Sequence, residues 1–107
     1  MAYEDINKTF DFLQKKMDHD LALMQDEMVR KYTASGTSNN GLITVVVDAD
    51  HFIKDMKIDP SIAKDDPKQI KEWIREATNK AIFEANLELE RRTSAIVLRY
   101  LDIAEKK

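Results

Sequence analysis

Asn40-Gly41-Leu42-Ile43-Thr44-Val45-Val46-Val47-Asp48 is the stretch on which the fold turns. Asn-Gly is a favoured pair for a tight turn because both residues tolerate positive φ, and β-branched residues follow it at once, so a hairpin and its second strand are predicted here. This strand has almost no polar face, which in an antiparallel sheet implies cover on both sides. Helices of the same chain can supply one cover. The other face of Val45, Val46 and Val47 points to a second copy of the chain or a partner; for a second copy, Leu42, Val45, Val46 and Val47 are the predicted dimer contacts.

Outward from that strand, Asp48-Ala49-Asp50-His51 breaks the apolar run and is read as a turn. A calcium loop is rejected there, because Phe52 and Ile53 stand where a further oxygen ligand and a glycine are needed. Phe52, Lys54, Met56 and Ile58 then share one face of a third strand, opposite Ile53, Asp55 and Lys57. The first strand is the weakest, placed at about 29–35, with the others at about 41–48 and 52–59.

On the N-terminal side, Ile6, Phe10, Leu13, Met17, Leu21, Met24 and Met28 recur at steps of three and four, which predicts an amphipathic helix over about 4–28 with a Met-rich, adaptable seam. On the C-terminal side, Asp66-Pro67-Lys68-Gln69 has the form of a helix start, with Asp as N-cap and Pro in the first helical position. No breaker follows, so one helix is expected over about 67–105. At 1.5 Å per residue it runs to roughly 57 Å, beyond the 30–35 Å of a globule this size, and its end must project or meet another chain. Ala77, Ala81 and Ala85 form a small-residue stripe for close packing, and Trp73 is expected in the core. The fold class is therefore α+β in a single domain, 1–107: long helix, three-stranded antiparallel sheet, long helix.

The 107 residues, with 43% hydrophobic and 35% charged side chains but only two Gly and two Pro, have the composition of an ordered chain. The absence of cysteine closes disulfide, thiolate-zinc and thiol chemistry. Met1-Ala2-Tyr3-Glu4-Asp5 lacks the features of a secretory leader, and no apolar run approaches membrane-spanning length, so neither export nor a membrane partner is expected. No phosphate loop, nucleophile elbow or paired-histidine motif is present, and His19 and His51 stand far apart, so no catalytic residue, metal, cofactor or small-molecule substrate is expected.

A net charge of -3 announces no global field for nucleic acid. Cations nonetheless populate the two long helices: Lys8, Lys15 and Lys16 on the first, Arg91, Arg92 and Arg99 on the projecting part of the second, followed by Lys106 and Lys107. Such arms suit phosphate contacts that hold DNA without reading its bases.

Gly41-Leu42-Ile43-Thr44-Val45, Met56-Lys57-Ile58-Asp59-Pro60-Ser61, Asp65-Asp66 and Glu76-Ala77-Thr78-Asn79-Lys80-Ala81 together resemble the YbaB/EbfC family of bacterial nucleoid-associated proteins, over about residues 5 to 98. The resemblance implies a cytoplasmic, nucleoid-bound, tweezer-shaped homodimer that binds DNA with little sequence specificity. Two features depart from the family pattern: Asp48-Ala49-Asp50 replaces a common Asn-Gly turn, and Arg99-Tyr100-Leu101-Asp102-Ile103-Ala104-Glu105-Lys106-Lys107 replaces a Gly- and Pro-rich tail. The competing expectation is a protein-interaction module whose Met-rich and Ala-rich arms grip a partner without DNA.

Overall fold

The computed structural model describes the backbone of residues 3–105 and the side chains of residues 7–103; the predicted seam residue Ile6 and the terminal Lys106 and Lys107 lie outside the described side chains. Helix α1 (Tyr3–Lys31) leads into strands β1 (Thr33–Thr37), β2 (Ile43–Asp48) and β3 (Ile53–Ile58), a 3-10 turn (Pro60–Lys64) and helix α2 (Pro67–Glu105). The sheet is antiparallel in the order β1-β2-β3.

The first strand starts later than the sequence pattern suggested. Val29-Arg30-Lys31 prolongs α1, whose last turns carry the i,i+4 pairs Asp26–Arg30 and Glu27–Lys31 and end on cations that suit a helix C-terminus. The strand that follows, Thr-Ala-Ser-Gly-Thr, has little β-propensity of its own. Its place is set by packing: Ala34 and Gly36 lie buried beneath α2 and pair with Val47 and Val45 of β2.

Gly36 explains that packing. A Cβ built there would overlap the Ala77 carbonyl oxygen and the Ala81 amide nitrogen, and would stand 2.8 Å from Lys80 Cβ. The backbone of α2 therefore rests directly on β1, which requires Gly below and Ala above. Ala77 and Ala81 are 0% exposed and Ala85 is 2% exposed, so the small-residue stripe is indeed the line of closest approach. Ile43, Val45, Val47, Ala34 and Ile62 complete the core, with Trp73 half-buried against it.

The expected two-sided cover of β2 needs correction. Val45 and Val47 are 0% exposed in the lone chain because α2 already covers them, and Leu42 packs against the same core. Only Val46 lies on the opposite face, paired with Ser35 and Asp55, while neighbouring Thr44 pairs with Thr37 and Lys57. That face is largely polar, so the apolar run reflects one deep core plus a single valine. Strict alternation in β3 also fails. A bulge between Val46 and Val47 skips Lys54 and sets Ile53 opposite Val47; of β3, Met56 packs against the core while Ile53 and Ile58, and Phe52 just before the strand, are exposed.

Both hairpin turns hold their geometry through side chains. Gly41 adopts φ 77, and Asn40 Oδ1 accepts from the Leu42 amide at 3.0 Å. In the second turn, Asp48 Oδ1 accepts from the amides of Asp50 at 2.9 Å and Phe52 at 3.0 Å, while His51 takes the left-handed conformation at φ 70. Burial raises the Asp48 pKa, but the Phe52 and Asp50 amides and the Lys54 ammonium outweigh it and leave the carboxyl below its usual value. Asp66 caps α2, its Oδ1 accepting from the Lys68 amide at 3.0 Å.

Candidate nucleic-acid interface

Helix α1 lies antiparallel along the C-terminal half of α2: Met28 stands near Ala85 and Leu89, while Leu13 and Met17 stand near Val97, Tyr100 and Leu101. The Met-rich seam thus serves as an intramolecular contact. Together the two helices form an arm that extends the chain to 74 × 21 × 17 Å, with a radius of gyration of 20.8 Å where a compact chain of this length has about 13 Å. The chain exposes 7836 Å² against about 6,100 Å² for a globular monomer of its mass.

The arm is closed by a contact between the Tyr100 hydroxyl, which donates, and Asp20 Oδ2. Tyr100, in the replaced tail, is buried, whereas Arg99 beside it is exposed. The hydrogen bond to the Asp20 carboxylate, then burial, then the carboxylate charge all raise the Tyr100 pKa. A phenol whose pKa is raised by folding contributes in full below the ordinary tyrosine value near 10 and loses that contribution as pH climbs through the raised value. Alkaline titration should therefore loosen the arm in a step that coincides with tyrosinate absorbance, and Tyr100→Phe should abolish that step in the helical circular dichroism.

The six candidate cations fall into two groups. At the root of the arm, Arg91 Nη1 donates to Glu88 Oε1 at 2.8 Å and Arg92 Nε donates to Glu88 Oε2 at 3.1 Å. Arg92 also lies over the Tyr32 ring, 5.3 Å from its centroid, tying α2 to the start of β1. One half-buried carboxylate thus engages both guanidinium groups; pairing with them outweighs its own burial and holds the Glu88 pKa below its usual value. Arg92 is in large part a structural residue. Further out, Lys8, Lys16 and Arg99 are exposed and form no ion pair among the described residues. Lys15 meets Asp11 at 3.2 Å in an exposed i,i+4 pair, a contact of a few tenths of a kcal/mol that a phosphate readily replaces.

Arg99 adjoins the tyrosine that bonds Asp20, so it stands about one helical turn from Lys16 along the arm. Sequence periodicity placed cations on both helices but did not reveal that Glu88 engages the arginine pair, since an i,i+3 and i,i+4 spacing to one Glu is equally common on solvated faces. Among the described residues no cluster of His, Cys, Asp or Glu is arranged to hold a metal ion, and no helix is long and apolar enough to cross a membrane.

A three-stranded sheet roofed by a helix that continues into a two-helix, cation-bearing arm defines an elongated α+β protein built around exposed helical surface. The chain matches the YbaB/EbfC DNA-binding family over residues 2–99 and belongs to that family. It is 31% identical over 74 residues to a nucleoid-associated protein of Psychrobacter sp. strain PRwf-1, covering 69% of this chain and 66% of that protein. It is 35% identical over 68 residues to a nucleoid-associated protein of Bartonella bacilliformis, covering 63% and 62%. The chain thus spans less than two thirds of the length of these curated relatives. The fold is similar to the crystal structure of the uncharacterized protein HP0035 from Helicobacter pylori, with a TM-score of 0.63 over 91% of this chain and 98% of that one, at 13% identity.

Proposed function

We propose that the protein is a bacterial nucleoid component that binds double-stranded DNA with little sequence specificity, as a homodimer, through phosphate contacts from its arms. The observation that carries this reading is the match to a DNA-binding family across residues 2–99. The outer arm cations Lys8, Lys15, Lys16 and Arg99 support it. Such contacts hold a duplex by charge and read no base edges, which is why specificity is low and the work is non-enzymatic.

A second copy is assigned to the uncovered edge of the sheet and not to the buried valines. β3 is an edge strand that carries exposed Ile53 and Ile58, with exposed Phe52 directly before it; an apolar edge of this kind is a template for pairing with another chain.

The exposed Phe83 and Leu98 on α2 favour a second reading, a protein partner gripped by that helix. Binding to a mixed pool of duplexes across a salt series separates the two. Under the DNA reading log K falls linearly with log salt, and light scattering gives twice 12.4 kDa. Salt-insensitive binding, or none at low salt, would refute it.

A further inference from the structure

Phe12 is an exposed ring with three cations within one helical turn. Its ring is 65% exposed and lies off the Leu13-Met17-Leu21 seam that packs α1 on α2. Four residues before it stands Lys8; three and four residues after it stand Lys15 and Lys16, all exposed. On a helix these spacings place all three ammonium stems around the ring. One acid, Asp11, also adjoins the ring and is paired with Lys15 at 3.2 Å; by comparison, acids flank the exposed Leu23 at Asp20, Asp26 and Glu27, Phe52 follows Asp48 and Asp50, and Phe10 borders the seam.

A ring among cations matches the surface of a duplex, where phosphates line each groove and apolar base edges and stacking faces lie between them. Proteins that bend DNA use such a side chain as a wedge: cations hold the two phosphate walls while an aromatic or aliphatic group enters a base step, unstacks it and kinks the axis.

We propose that Phe12 is such a wedge, so that the protein bends the DNA that Lys8, Lys15 and Lys16 hold; the proposal rests on the DNA reading above. Loss of the wedge should leave the phosphate contacts in place. Affinity and bending are therefore separable, and neither the fold nor the oligomeric state depends on Phe12.

The test measures affinity, salt dependence and end-to-end distance on one duplex labelled at both ends for fluorescence transfer, with melting and light scattering on the same preparations. The wild-type protein should shorten the distance. Phe12→Ser should keep affinity within about threefold with an unchanged salt slope, while the duplex returns to its straight length. Phe12→Leu, an apolar wedge, should restore bending. The proposal is overturned if the wild-type protein binds without bending, if Phe12→Ser bends as well as wild type, or if Phe12→Ser changes the mass in solution, which would make Phe12 a contact between copies. Absence of any wild-type binding at low salt would remove the DNA reading itself, a distinct outcome from binding without bending.

Discussion

Gly36→Val should cost on the order of 3 kcal/mol or more and lower the melting temperature by about 15 °C, without any change in surface charge. The reason is the class of atom it meets. The missing Cβ faces the Ala77 carbonyl and the Ala81 amide, which belong to a continuous helix backbone and cannot rotate aside as a flexible side chain can. Relief requires α2 to lift from β1, and the buried line of Ala77, Ala81 and Ala85 lifts with it. From the helix side, Ala81→Leu overpacks the same contact and should cost about 1–3 kcal/mol. Gly41→Ala is the control: the space around Gly41 is open and only its φ of 77 is at stake, so the cost should be about 1 kcal/mol. Equal melting temperatures for Gly36→Val and wild type would mean that α2 does not rest on β1.

The second large effect is expected in binding. Charge reversal of Lys8, Lys16 and Arg99 together removes the candidate cations that form no ion pair among the described residues, and should weaken binding to all duplexes alike by on the order of 10²–10³-fold near 0.1 M salt, with the salt slope reduced by about three units per protomer engaged. All three are exposed, so the melting temperature should stay close to wild type. Arg92→Glu should behave differently. It leaves Glu88 facing a like charge and removes the stack on Tyr32, so stability should fall along with any affinity. Full affinity in a folded triple variant would move the grip off the outer arm. A stable Arg92→Glu protein with lost affinity would return it to the root.

Much of the architecture follows from local rules that need no tertiary information. The Met-rich seam of α1, the Asp66-Pro67 start of α2, the positive φ at Gly41 and the β-branched run of β2 each depend on spacing or on one residue's own conformational preference, and so can be read from the chain. Other features depend on which backbone lies against which. Thr33–Thr37 is a strand because α2 presses on it, and its weak propensity points elsewhere. Val45 and Val47 read as partner contacts until the length and tilt of α2 are known, because an apolar run records burial without recording what does the burying. The bulge at Lys54 moves Ile53 across the pleat, a one-residue event that alternation cannot anticipate.

The candidate site divides along the same line. That Lys8, Lys15, Lys16, Arg91, Arg92 and Arg99 lie on two long helices is plain from the sequence. Which of them are available was decided by folding: Glu88 meets Arg91 and Arg92 as soon as α2 is helical, but Tyr32 comes from another element and meets Arg92 only when α2 crosses the start of β1. Tyr100 and Asp20, eighty positions apart, meet only when the arm closes. Charge type and helix phase are local properties of the chain, whereas pairing and exposure belong to the assembled surface.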